Sequence, residues 1–157
     1  MSFFYETFRE KSDRIQWLPC IDSYPPHFHK NLEIFVCTTN QINLIINGQK
    51  SVMYHREIAV VDSFQIHSYE KGEGNYVFII PLCYCNDYFN SKAEYQLNGN
   101  IIRDTETLDK IWRIIDDLKN PPPNELIFKG LINQFLGLAV QNLGLVKSSS
   151  TTSILKI

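Results

Sequence analysis

Between about Leu32 and Pro81 the apolar residues come in short runs broken by polar clusters, which is the pattern of β-strands. Leu32-Glu33-Ile34-Phe35-Val36 reads as one strand, and Ile42-Asn43-Leu44-Ile45-Ile46 as a second that runs into Asn47-Gly48. That pair predicts a type I′ hairpin, because both central residues need positive φ. Ser51-Val52-Met53-Tyr54 is the return strand, followed by Ile58-Ala59-Val60-Val61, Ile66-His67-Ser68-Tyr69 and Tyr76-Val77-Phe78-Ile79-Ile80. About six short strands at such tight spacing predict a small sandwich or barrel.

Beyond about residue 103 the period changes. Leu108, Ile111, Trp112, Ile115 and Leu118 share one face of an amphipathic helix, with Asp104 or Thr105 as its cap. Pro121-Pro122-Pro123 stops that helix, and Asn124 caps a second. The second helix is apolar over too wide an arc for one buried side, so its surplus is a candidate subunit interface. Lys147-Ser148-Ser149-Ser150-Thr151-Thr152-Ser153 reads as a polar linker, and Ile154-Leu155-Lys156-Ile157 as the start of a further domain.

Composition narrows the class. The chain has 157 residues, of which 44% are hydrophobic and 20% charged, which suits one well-buried domain with a helical appendage. A net charge of −2 gives no electrostatic footprint for nucleic acid. Glu6, Arg9, Glu10, Lys11, Asp13 and Arg14 are incompatible with a secretory signal, and no apolar run reaches membrane-spanning length. A cytoplasmic protein is expected, with Cys20, Cys37, Cys83 and Cys85 as reduced thiols.

The candidate chemistry lies in Pro25-Pro26-His27-Phe28-His29-Lys30-Asn31-Leu32-Glu33. On an extended strand His27, His29 and Glu33 point the same way, and His67 on a later strand can add a third imidazole. Three nitrogens and one oxygen suit a divalent transition metal such as Zn, Ni, Fe or Mn, and the same groups can hydrogen-bond a small polar ligand with no metal required. Phe35 shares the face of His29 and Glu33, and Tyr69 that of His67, so both line the pocket or else plug it. No catalytic residue is assigned.

His-x-His-x-x-x-Glu followed by a later His resembles the cupin signature over roughly His27 to Pro81. The second cupin motif is degenerate, with Arg56-Glu57 and Ser63-Phe64-Gln65 in place of its usual turn residues. The resemblance implies a mainly β, cupin-like (RmlC-like) barrel or jelly roll followed by two α-helices, with His27, His29, Glu33 and His67 at the metal positions. Across the whole chain, the His-x-His-x-x-x-Glu-Ile opening, the Ile-Asn-Gly-Gln hairpin, Gln-Ile-His-Ser-Tyr, two helices and a polar linker are similar to the amino-terminal half of AraC-type transcriptional regulators.

That resemblance implies an effector-binding barrel with an arm over residues 1–100, a helical homodimerisation segment over 101–146, and a linker and start of a DNA-binding half over 147–157. The expected partners are a small-molecule effector, a second copy and, through the following half only, DNA, with no membrane. The aromatic stretch Met1 to Trp17 is expected to act as a ligand-responsive arm. A free-standing, metal-dependent cupin isomerase or dioxygenase is the alternative.

Overall fold

Leu32–Val36 is buried on both faces, so this strand has to lie in the middle of a sheet that is itself covered. In the computed structural model, which describes residues 2–120 and 124–148, it does. The chain divides into two compact units, Met1–Leu82 and Cys83–Ile157.

The first unit holds β1 (Phe4–Tyr5), a short 3-10 helix (Phe8–Lys11), β2 (Gln16–Pro19), β3 (Ser23–Phe28), β4 (Leu32–Val36), β5 (Gln41–Ile46), β6 (Gln49–Tyr54), β7 (Ile58–Val61), β8 (His67–Glu70) and β9 (Tyr76–Ile80). One sheet runs β1-β3-β8-β5-β6, and the other contains β7-β4-β9-β2. Apart from the parallel pair β1 and β3, the neighbours are antiparallel. This is a cupin-type double sheet, mainly β, and it agrees with the fold class expected from the sequence.

The β5–β6 turn is as predicted: Asn47 and Gly48 have φ of 49° and 81°. The strands begin earlier than the apolar runs suggest, at Phe4 rather than near Leu32. Pro25 and Pro26 hide β3, since prolines normally argue against a strand; the β3–β8 register shifts between Tyr24 and His27 to accommodate them.

The second unit holds α1 (Asn86–Lys92), β10 (Tyr95–Leu97), β11 (Ile101–Ile102), α2 (Thr105–Lys119), α3 (Glu125–Leu143) and β12 (Leu145–Lys147). There are thus three α-helices among the described residues, not two. The units divide at Leu82/Cys83 rather than near residue 100, because α1 packs on α3 and β10 pairs with β12. Lys147, expected to open a linker, is paired with Tyr95 in that ladder. Asp104 caps α2 by accepting from the Thr107 amide at 2.9 Å, and Asn124 caps α3 by accepting from the Leu126 amide at 2.8 Å. Leu108, Ile111, Ile114, Ile115 and Leu118 form the buried stripe of α2, with Trp112, expected in it, only half-buried, whereas α3 leaves Leu126 and Ile127 exposed. The Pro121–Pro123 stop and the segment from Ser149 onward lie outside the described residues.

One side chain ties three loops of the first unit together. Asn75 is buried, and its Oδ1 accepts from the Thr38 amide at 2.9 Å, the Thr39 amide at 3.1 Å and the Thr39 hydroxyl at 3.0 Å. Its Nδ2 donates to the Gly72 carbonyl at 3.2 Å, and its own carbonyl accepts from the Cys20 amide at 2.9 Å. Truncating the side chain strands two backbone donors. Asn75→Ala is expected to destabilise the fold by roughly 2–4 kcal/mol, read as a lower urea midpoint with an unchanged slope.

Candidate functional site

His27 enters from β3 and pairs in register with His67 at the start of β8, which puts their rings side by side with centroids 4.1 Å apart. His29 follows β3 directly, and the chain then turns through Lys30 and Asn31 before Glu33 arrives on β4 of the facing sheet. The four groups therefore converge, but not for the reason their spacing suggests. His27, His29 and Glu33 do not share one strand face; the carboxylate meets the imidazoles across the interior of the double sheet.

The turn that carries His29 is held from three directions. The Phe64 amide donates to the His29 carbonyl at 2.8 Å, the Ser63 hydroxyl donates to the Lys30 carbonyl, and the Lys30 amide donates to Glu10 Oε1 at 2.8 Å. One ligand-type atom from each of His27, His29, Glu33 and His67 lies within 4.8 Å of all the others, and all four residues are buried.

Each histidine is oriented by its second nitrogen. His27 Nδ1 lies 2.9 Å from the Pro25 carbonyl, His29 Nδ1 3.0 Å from the Asn31 carbonyl and His67 Nδ1 2.8 Å from the Gln65 carbonyl. A carbonyl only accepts, so each Nδ1 carries a proton that it donates. The three Nε2 atoms turn inward, which is the tautomer and orientation that metal-ligating histidines show.

Glu33 Oε2 lies 2.8 Å from His29 Nε2 and 3.4 Å from His67 Nε2. Burial alone would raise the Glu33 carboxyl, but the His67 and His29 rings outweigh it and hold the group well below the usual carboxylate range. Burial lowers His29, yet Glu33 beside it raises the ring above its ordinary value, so the short contact is a charge-assisted hydrogen bond when a proton occupies Nε2. His27 goes the other way. Burial, with the neighbouring His67, pushes it down to about 4.

Phe35 and Tyr69 both reach the cluster. The Phe35 ring sits edge-on to His67 at 6.3 Å and to Tyr69 at 5.5 Å, and both side chains are buried. They fill much of the interior, with Tyr69 backed by Gly72, where any Cβ would collide with the Tyr69 ring and the Ile21 carbonyl. What remains is a cavity of about 80 Å³ bordered by Glu6, Arg9, Tyr24, His27, Glu33 and Tyr69. That volume suits an ion and a few waters, and it is far below the several hundred Å³ that drug-sized ligands occupy. A wider groove of about 420 Å³ runs beside β3 and β8, along Tyr24, Pro25, Pro26, Ile45, Ile66 and Ser68.

Glu6 was not foreseen as a site residue. It comes from just beyond β1, is 2% exposed, and points Oε2 at His27 Nε2 (3.9 Å) and His29 Nε2 (4.0 Å). Its Oε1 accepts from the Tyr24 hydroxyl at 2.6 Å; burial and that bond push the Tyr24 phenol up to about 12. The only signal in the sequence is a carboxylate within an aromatic stretch, which pattern alone cannot aim.

The donor set fits a divalent transition cation. Three pre-oriented imidazole nitrogens and a carboxylate are suitable ligands, and the buried Glu6 Oε2 beside them has no hydrogen-bond partner and only the Arg9 ion pair at 3.5 Å.

No family model matches the chain, and no curated protein matches it. Solved structures do. Unsaturated-fatty-acid-bound ToxT from Vibrio cholerae strain SCE256 is 12% identical with a TM-score of 0.57, over 90% of this chain and 58% of that one. The AraC-like transcriptional activator CuxR is 11% identical with a TM-score of 0.55, over 78% of this chain and 45% of that one. An RmlC-like cupin from Shewanella frigidimarina NCIMB 400 aligns over 43% of this chain and 62% of that one, at 13% identity and a TM-score of 0.36. The chain spans about half the length of the two regulators, and at such identities the likeness establishes the fold. Among the described residues no helix is long and apolar enough to cross a membrane.

The His27 environment makes stability depend on pH. Its folded value lies below the unfolded value of about 6.5, so the unfolded chain binds the extra proton and stability falls as pH drops through that interval. His29 has the opposite sign: its contribution is full below about 6.5 and is lost as pH rises, which offsets part of the slope. Comparison with His27→Gln isolates the first effect. With chelator present, the wild type is expected to lose roughly 2 kcal/mol relative to that variant between pH 7 and pH 5, measured by urea unfolding at both pH values.

Proposed function

We propose that this chain is the sensing portion of an AraC-type regulator and that its interior site takes a divalent transition cation. The observation that carries the ligand class is the set of three histidines, each fixed through Nδ1 by a backbone carbonyl, with Nε2 of His29 and His67 at 2.8 and 3.4 Å from Glu33 and a donor atom of His27 within 4.8 Å of the others. A sugar- or fatty-acid-sized effector is a poor match to about 80 Å³, so such a molecule would use the outer groove beside β3 and β8. The regulator reading is supported by a fold match that runs over 90% of the chain, through the helices that follow the double sheet.

In this reading His27, His29, Glu33 and His67 hold the cation, Tyr69 and Phe35 exclude bulk water from one side, and Tyr24 orients Glu6 at the other. A bound cation supplies concentrated positive charge at the point where two carboxylates face the imidazoles. Homodimerisation would use the face of α3 that leaves Leu126 and Ile127 exposed, and DNA would be read by a further domain. A metal-dependent cupin enzyme is the second reading, favoured by the same donor set, which is a competent ligand set for catalytic metals.

Purified protein loaded with Zn²⁺ and desalted is expected to retain about one equivalent per chain by elemental analysis. The double variant His27→Ala/His29→Ala is expected to bind at least 100-fold more weakly in chelator competition, at about the loss that even outer-shell changes can produce, while remaining folded. A wild-type protein that stays metal-free would overturn the cation. If the full-length gene product's affinity for DNA is the same with Zn²⁺ and with chelator, a regulatory role for that cation is wrong, and turnover tests of the enzyme reading come next.

A further inference from the structure

Asn47 and Ile66 meet one position beyond the last ladder pair of β5 and β8, in which Ile46 lies opposite His67. The Asn47 amide donates to the Ile66 carbonyl at 2.7 Å, as the next rung of the ladder requires. A regular rung would carry the reverse bond as well, from the Ile66 amide to the Asn47 carbonyl. Here the Ile66 amide donates instead to the side-chain Oδ1 of Asn47 at 3.1 Å. The reason lies in the turn. Asn47 has a φ of 49°, which the type I′ hairpin demands, and a left-handed residue no longer presents its carbonyl as a strand residue does.

This substituted rung sits directly before the ring it serves. His67 Nδ1 is oriented by the Gln65 carbonyl at 2.8 Å, and Gln65 lies between two fixed neighbours. On one side the Phe64 amide is bonded to the His29 carbonyl at 2.8 Å, with Phe64 itself left-handed at a φ of 62°. On the other side stands Ile66, whose backbone amide and carbonyl are both taken by Asn47. A bulky residue keeps a left-handed backbone only where its surroundings over-determine it, so residues 64–66 are held at both ends. With one end released, the Gln65 carbonyl can swing away from the imidazole. Gly48, Ile66 and His67 also border the groove of about 420 Å³, so the Asn47 clamp stands between that groove and the cluster.

We infer that Asn47, an exposed turn residue with no hydrogen bond to any of the four donors, is a positioning residue for His67. Its side chain holds Ile66, Ile66 holds the Gln65 carbonyl in place, and that carbonyl keeps Nε2 of His67 turned inward. In its consequence for metal affinity the inference rests on the cation reading above. In its consequence for the ring it does not, because the orientation of His67 is readable in metal-free protein.

The test compares wild type with Asn47→Gly and Asn47→Asp. Gly-Gly and Asp-Gly both suit a type I′ turn, so both variants keep the hairpin, whereas only the second keeps an oxygen for the Ile66 amide. Nitrogen NMR of the imidazoles reads the His67 tautomer with chelator present, at about pH 8, above the ordinary imidazole range. Chelator competition reads Zn²⁺ affinity. Wild type and Asn47→Asp are expected to show His67 protonated on Nδ1 alone, and Asn47→Gly a mixture of both tautomers. Asn47→Gly is expected to bind Zn²⁺ about tenfold more weakly than wild type, and Asn47→Asp to stay within about twofold of it. An unchanged His67 tautomer in Asn47→Gly, or a loss as large in Asn47→Asp as in Asn47→Gly, would overturn the role of Asn47 and leave the cation reading intact. If wild type takes up no Zn²⁺ while Asn47→Gly still mixes the His67 tautomers, the cation reading fails and the positioning role stands.

Discussion

An ionised carboxylate sealed between two sheets is tolerable only if positive charge or several hydrogen bonds meet it, and in this chain Glu33 sets that demand. The answer is a ring of imidazoles, the one side chain that can be a proton donor, a cation or a metal ligand without changing shape. The three Nδ1 contacts to Pro25, Asn31 and Gln65 decide which of these roles each ring can take, because they fix where Nε2 points. Much of the local backbone serves those contacts. The register that sets His27 opposite His67 and the turn through Lys30 and Asn31 exist where the cluster needs them.

The interior is accordingly a place for charge more than for bulk. Phe35 and Tyr69 are candidates either to line a pocket or to plug it; both are buried with rings edge-on at 5.5 Å, Tyr69 also borders the cavity, and Gly72 leaves room for its ring. Cys20 beside Tyr69 is pushed up to about 12 by burial and the nearby Glu33 charge, which favours a packed, protonated thiol.

Legibility in the sequence tracked how local each interaction is. Asn47-Gly48, the Asp104 and Asn124 caps and the α2 stripe are decided by residues a few positions apart, so pattern alone finds them. The four cluster residues were named from spacing, yet the supposed geometry was wrong, since a period-two argument cannot detect a chain reversal between His29 and Glu33. β3 was hidden by Pro25 and Pro26, whose missing donors are absorbed by a register shift that only the partner strand reveals. Glu6 was out of reach altogether, because its role depends on a two-residue parallel ladder between segments more than twenty positions apart. The helical unit was divided too late for a similar reason: β10 and β12 recruit each other across the whole of α2 and α3.

A site that senses occupancy must border something that can move, and the strands around the cluster differ sharply in that respect. β4 is laddered on both sides by β7 and β9, β8 by β3 and β5, and all five residues of β4 are buried. Displacing any of them breaks ladders that define the double sheet, at a cost comparable to the stability of a whole domain. β1 is an edge of two residues, parallel, and flanked by half-exposed aromatics. Local opening free energies are lowest where few buried contacts and short ladders hold a segment, and in the first unit the two-residue edge β1 fits that description better than β4 or β8. The enzyme and regulator readings part at this point: catalysis gains from a rigid donor set, whereas sensing needs a neighbour of the site that can move.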